Sequence, residues 1–464
     1  MKYIFVLFIL QIKFLFCQDI YNYFDNILET IPPSTDYSIY IYNLTKNKLL
    51  FSYNAEKPFK PASLTKLYTT AVSLTMIGKD KDISLSFFTN DKNLSDGIIN
   101  GNLYIKGFGN PLVKNENILS FINYLKYKGI KKITGNIYVD ETFFDSLYSR
   151  KDWIEDEPGV NPIPPVSAII VNRNTLGINI KPTRNKKPAI VSSSFEGGYI
   201  DIVSNVITSK QTSISISQSF NNRYKIFVNG SISKKNRNYS TTVFIKYPDL
   251  FAGALVANYL TKNNISFSGS VIKLQIKVNE LYRIYDISNK LEEIISIANK
   301  SSDNFVAECL FKMNGAYYSK IQGNSFYSTQ AVNSFIKNNG IFSLGTDLVD
   351  GSGLSHYNRT TTRSIVDLLI FMFKSKNFPF FYESLSIASE DGTLRHRFNS
   401  SIAYKNLRGK TGTLNGVSAL SGYAYNVEND LIAFSIIWHF NYPNARYYKN
   451  IENKIVEYIL NTKF

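Results

Sequence analysis

The stretch from Ser84 to Gln275 differs in texture from everything on either side of it, and that contrast constrains the fold most. It consists of short alternating runs such as Leu103-Tyr104-Ile105, Ile137-Tyr138-Val139 and Thr242-Val243-Phe244-Ile245. Gly, Asn and Ser punctuate them, the pattern of half-buried strands joined by small turns. One helical pattern interrupts it, Pro248–Asn263, with Leu250, Phe251, Leu255, Val256 and Leu260 at helical spacing. The flanks instead mix strands with helices. Tyr37–Tyr42 and Leu49–Tyr53 read as a hairpin around Thr45–Lys48, and Leu64, Leu67, Ala71 and Leu74 mark a helix from Ser63 to a stop at Gly78. Downstream, helical patterns return from about Tyr282, with a helix at Asn304–Met313. Two strands, Val417–Asn426 and Leu431–His439, precede an amphipathic helix at Ala445–Leu460. A chain of 464 residues is also too long for a single core. The expected fold is therefore α+β. An antiparallel sheet flanked by helices is built from residues 18–83 and 282–464, and a β-rich module, residues 84–281, is inserted as one or two nested subdomains. Such a discontinuous domain brings residues from both chain ends to one cleft.

Three short constellations could do chemistry there. In Pro61-Ala62-Ser63-Leu64-Thr65-Lys66, Ser63 and Lys66 lie three apart at a helix start and share a face. A serine hydroxyl needs a base beside it, and a lysine stripped of its proton by burial or a neighbouring cation can serve. Ser302-Asp303-Asn304 pairs a hydroxyl able to relay a proton with an amide able to hold a substrate amide. In Lys410-Thr411-Gly412-Thr413, Gly412 lets a substrate backbone approach the strand, and Lys410, Thr411 and Thr413 could bind a carboxylate. Taken singly, each is as well read as a helix cap or a turn. The Ser/Lys spacing recurs at Ser231/Lys234 and Ser334/Lys337, and the Ser/Asn spacing recurs at Ser219/Asn221 and Ser375/Asn377.

In this order the three constellations resemble the Ser-x-x-Lys, Ser-x-Asn and Lys-Thr-Gly set of penicillin-binding proteins and serine β-lactamases. The long insert between Lys66 and Ser302 narrows the resemblance to the D-alanyl-D-alanine carboxypeptidase/endopeptidase family of low-molecular-mass class C penicillin-binding proteins. Gly107–Leu112, Ile133–Asn136 with Asp140, Pro165–Ala168 with Asn172 and Asn174, Asp350–Ser355, and Asp391–Arg395 resemble the same family. Phe108 and Asn110 depart from it, where Gly and Asp are usual. The resemblance implies a penicillin-binding transpeptidase-like domain that takes peptidoglycan stem peptides as substrates and β-lactams as covalent inhibitors. By the same token Ser63 is the nucleophile, Lys66 its base, and Ser302 the proton relay to the departing amine. Asn304 holds the substrate amide, and Lys410, with Thr411 and Thr413, binds the carboxylate and keeps Lys66 neutral. The backbone N–H groups of Ser63 and Thr413 form the oxyanion hole. Two rival readings are a β-lactamase-like hydrolase and a wall-binding or penicillin-sensing protein without turnover. No deacylating carboxylate is assignable for the first, and the intact set of polar residues opposes the second.

Other chemistries find little support. The three histidines, His356, His396 and His439, show no His-Glu-x-x-His arrangement, so no metal or cofactor is expected. Gly-x-Ser-x-Gly and Walker-type loops are absent. The net charge of +16 is scattered rather than blocked, which opposes a nucleic-acid arm. Lys2 followed by the apolar run Tyr3–Ile12, broken by Gln11 and then Lys13, reads as an export signal ending near Cys17. Leu15 before Cys17 leaves lipidation open, although Phe16 is bulky for it. The expected location is the periplasm or cell envelope, with at most peripheral membrane association. Cys309 then has no disulfide partner and is read as a small core residue.

Overall fold

The structure, a computed structural model, describes residues 23, 24, 26–93, 97–153 and 162–464. The expected export segment, residues 1–17, lies outside the described residues. Strand Leu431–His439 organises one half of the molecule. Its nine residues are almost entirely apolar, because both faces are covered. Ile432, Phe434, Ile436 and Trp438 point into one core, and Leu431, Ala433 and Ile437 into another, the period of two that a strand imposes. The strand belongs to a sheet of six antiparallel strands in the order Ser386–Ile387, Arg408–Leu414, Val417–Tyr425, Leu431–His439, Asp36–Asn43 and Lys48–Tyr53. The first and last chain segments thus share one sheet: Asp36–Asn43 pairs in full with Leu431–His439.

Helix Ala445–Asn461 covers one face through Tyr448, Ile451, Ile455, Val456 and Ile459. Helices Thr65–Met76, Leu291–Lys300, Asn304–Ser319 and Thr362–Lys374 build the core on the other face. The first of these begins later than its stripe predicts. Ser63 sits in a 3₁₀ turn, Ala62–Leu64, and the α-helix starts at Thr65. Cys309 is fully buried in this core, and burial pushes its thiol up.

A third core underlies the β-rich middle. Its main sheet runs Val271–Lys273, Ile137–Asp140, Leu103–Gly107, Asp82–Thr89 and Tyr282–Lys290. The strands by which the chain enters and leaves the middle therefore pair with each other, so Tyr282–Lys290 sits in the middle's sheet rather than with the segment that follows. Part of the middle also packs outward, since Phe144, Trp153, Ile163, Val166, Ala168 and Ile170 join the core beneath the helices. Besides Pro248–Lys262 the middle holds a second helix, Asn115–Tyr127. Its stripe of Ile118, Phe121, Ile122 and Leu125 follows helical spacing and is missed when the region is read as strands alone.

A buried ion pair fastens the last helix to the sheet. Glu452 is fully buried, accepts from Ser418 Oγ at 2.7 Å and from Arg397 Nη2 at 2.9 Å, and has no other charged partner within salt-bridge distance among the described residues. Arg397→Ala leaves that carboxylate buried beside one hydroxyl, so we expect a loss of about 3–5 kcal/mol in denaturant unfolding. A loss below about 1 kcal/mol would show that the pair does not hold the helix.

Candidate active site

Lys66 stands at the centre of the site. Its side chain is completely buried one helical turn beyond Ser63. Its Nζ lies 2.9 Å from Ser63 Oγ, 2.7 Å from Asn304 Oδ1 and 2.6 Å from the Ser352 carbonyl oxygen. The two carbonyl oxygens can only accept, so a neutral amine spends both of its N–H groups on them. Its lone pair then faces the Ser63 hydroxyl, the arrangement a base needs. Burial pushes Lys66 down to about 8, against the opposing pull of Asp350, Glu308 and Asp303. The turn that presents Ser63 is tightly drawn. Ala62 adopts a left-handed φ of +48°, and its carbonyl accepts from Thr65 Oγ1 at 3.0 Å. Such a conformation in a residue with a side chain is costly and persists only where the surroundings impose it.

The second constellation lies between helices Leu291–Lys300 and Asn304–Ser319. Asp303 caps the second of these helices, its side chain accepting from Val306 N at 3.0 Å. Ser302 takes a left-handed φ of +54°, and its hydroxyl accepts from Lys410 Nζ at 2.8 Å. Asn304, the first residue of the helix, turns its amide oxygen to Lys66. Arg173, from the middle of the chain, grips Asp303 through two bonds of 2.8 and 3.0 Å and stacks on Phe305.

Lys410, Gly412 and Leu414 face inward from strand Arg408–Leu414, and Thr411 and Thr413 face the other way. Gly412 serves a purpose other than the expected one. A Cβ there would meet the Pro61 carbonyl oxygen at 2.9 Å and the Ala62 Cβ at 3.2 Å. The missing side chain thus admits the Ser63 turn rather than a substrate. Strand Ser386–Ile387 pairs only with Gly409 and Arg408. The outer edge of the Lys410–Leu414 stretch is left without a strand partner among the described residues, open to an extended chain. Thr413 is exposed, and Thr411 donates to Thr393 Oγ1 at 2.8 Å. Lys410 is fully buried, and burial together with the neighbouring Lys66 pushes it well below its ordinary value. The largest cause of the lowered value of Lys66 is its own burial.

All eight residues singled out from the sequence therefore meet around one cleft. Ser352, Glu308, Asp350 and Arg173 also support it, and none of them was picked out as a site residue by motif reading. Glu308 left a trace: a carboxylate inside the otherwise apolar run Phe305–Phe311. Ser352 acts through its backbone, and its trace is its place in the family-like segment Asp350–Ser355. Of the histidines, His439 is packed against Phe59, and its Nε2 accepts from the Lys60 backbone N–H at 3.0 Å.

Residues 23–461 match the family described as D-Ala-D-Ala carboxypeptidase 3 (S13), and the chain belongs to that family. The D-alanyl-D-alanine carboxypeptidase DacB of Haemophilus influenzae is 25% identical over 418 residues, covering 88% of this chain and 86% of its own. The crystal structure of penicillin binding protein 4 (dacB) from Haemophilus influenzae superposes with a TM-score of 0.76 at 23% identity, covering 94% of this chain and 99% of the other. The same protein complexed with a novel β-lactam superposes at 0.74 and 21%, with the same coverage. These likenesses carry the α+β fold with its added β-rich part.

With Lys66 at about 8 and its neutral form the base, the rate at which a penicillin acylates the protein should fall about tenfold per pH unit below about 7. Labelling rates between about pH 5 and 9 check this. A flat profile would remove Lys66 as the base.

Proposed function

We propose that the protein is a serine-type D-alanyl-D-alanine carboxypeptidase, with endopeptidase action on cross-linked stem peptides, working through an acyl-enzyme on Ser63. The observation that carries this reading is the placement of a buried Lys66 Nζ, pushed down to about 8 by that burial, 2.9 Å from Ser63 Oγ, with Asn304 and a backbone carbonyl occupying its other directions. Membership of a family described by that activity supports it.

In this reading the stem peptide lies as an added strand along the open edge of Lys410–Leu414, and Asn304 holds its amide. Lys66 takes the Ser63 proton as Oγ attacks the penultimate D-alanyl carbonyl. The Ser63 and Thr413 backbone N–H groups receive the oxyanion. Ser302, bonded to Lys410, returns a proton to the departing D-alanine nitrogen. Water then cleaves the ester by the reverse of these transfers. The terminal carboxylate sits by Lys410, Thr411 and Thr413. Its negative charge favours the protonated form of Lys410, opposing the downward push of burial. β-Lactams enter the same path and stop at the acyl-enzyme. Among the described residues no helix is long and apolar enough to cross a membrane. We infer export to the periplasm or cell envelope, where the polymer lies, with at most peripheral contact with a membrane.

Incubation with a fluorescent penicillin should label the wild type covalently and leave Ser63→Ala dark, and peptide turnover should fall to background in the variant. Label on the variant would remove Ser63 as nucleophile. Lys410→Ala should weaken peptides that end in a free carboxylate by about 10–100-fold more than their amides, the worth of a lost charge-assisted contact. Equal losses on both would contradict the carboxylate role.

A further inference from the structure

Glu308 lies one turn beyond Asn304 on the same helix and the same face. It is almost wholly buried, yet it touches neither Ser63 nor Lys66 by hydrogen bond; its Oε1 accepts from the backbone N–H of Gly351 at 3.1 Å and of Ser352 at 2.7 Å. The carbonyl of that same Ser352 lies 2.6 Å from Lys66 Nζ. A second buried carboxylate secures the rest of the loop. Asp350 accepts from Gly353 N at 2.8 Å, Ser355 N at 2.7 Å and Asn358 Nδ2 at 2.8 Å. Gly353 backs directly onto the serine turn, where a Cβ would stand 1.9 Å from the Ala62 carbonyl oxygen. The loop is thus held from beneath by two acids and pressed against the residue before Ser63.

We propose that Glu308 is a positioning residue for Lys66: by holding the Gly351 and Ser352 N–H groups it aims the Ser352 carbonyl at Lys66 Nζ and keeps the amine's lone pair on Ser63. The proposal rests on the reading of Lys66 as the base. A neutral amine has two N–H groups and one lone pair. Asn304 Oδ1 and Ser352 O take the two donors, and the remaining direction points to Ser63. If the Ser352 carbonyl swings away, the amine is free to turn and present an N–H to Ser63, a geometry that cannot receive the proton. Glu308 does this with one oxygen. Burial and the negative charge of Asp350 push its carboxyl up to about 8, so near neutral pH it acts mostly as an uncharged acceptor. Reach and an acceptor atom are what the position requires, and charge is dispensable.

The test uses the full-length protein and a chromogenic penicillin at about pH 7, resolving non-covalent affinity from the first-order acylation step. E308Q keeps the acceptor at the same reach and should acylate at close to the wild-type rate. E308M keeps the bulk, loses the acceptor and should slow the acylation step about 100-fold, the scale of a misplaced reacting group, with affinity for the penicillin unchanged. Thermal unfolding of each variant checks that it is folded. E308D, which retains the carboxyl group and falls one bond short of the loop, gives a second measure if E308M does not fold, and should also be slow. Acylation by folded E308M or E308D within about threefold of wild type overturns the proposal, as does E308Q slowed as far as they are. Ser63→Ala run alongside separates the two readings. If it labels, or if the wild type does not, the nucleophile and base assignment fails and takes this proposal with it. If only the Glu308 variants disagree, the positioning role alone falls.

Discussion

The site depends on the burial of one lysine. An ammonium group withdrawn from water is expensive, and that cost loosens the lysine's hold on its proton, bringing it down to about 8. In its neutral form the amine must still satisfy its donors. Asn304 and the Ser352 carbonyl do so, and Ser63 occupies the direction left over. The glycines of the site follow from the same close packing. Gly412 and Gly353 are small where the turn carrying Ser63 is squeezed between the Lys410 strand and the Asp350–Ser355 loop. Lys410, buried on the far side of Ser302, is the second lysine of the cleft that burial pushes down, and a carboxylate ligand would push it back up.

The β-rich middle is tied into this arrangement at several points. Arg173 fixes the cap of the helix that presents Asn304. Lys312, on that same helix, donates to Asp145 and to the carbonyls of Leu147 and Val166. Arg150 pairs with Asp152, which accepts from Ser355 at the end of the loop that faces Lys66. Segments from one side of the chain thus brace both walls of a cleft whose reactive residues come from the other. A change in the middle can therefore reach the chemistry without touching it.

Much of this was legible beforehand. The strands Leu431–His439 and Val417–Tyr425 are readable because apolar runs of that length, bounded by turn residues, belong to a strand covered on both faces. The eight site residues are readable because their chemistry demands particular side chains in order, and the three sets occur together. The helix Asn115–Tyr127 was hidden only by the expectation of strands around it. Ser63 lies in a 3₁₀ turn, which an apolar stripe does not distinguish from a helix start. Gly412 was recognised as a point of close approach, but what approaches it was misjudged, because a missing side chain says nothing about which neighbour fills the space.

The sequence by itself determined the class of fold and singled out the residues that gather around Ser63 and Lys66, since those follow from residue type, order and spacing along the chain. Only the tertiary structure decided the acid–base state of the site and its geometry. The value of Lys66 depends on burial, its orientation depends on a backbone carbonyl hundreds of residues away, and that carbonyl depends on Glu308 and Asp350 beneath it. Backbone groups are the same in every residue, so their part in a site has no sequence signature and appears only when the chain is folded.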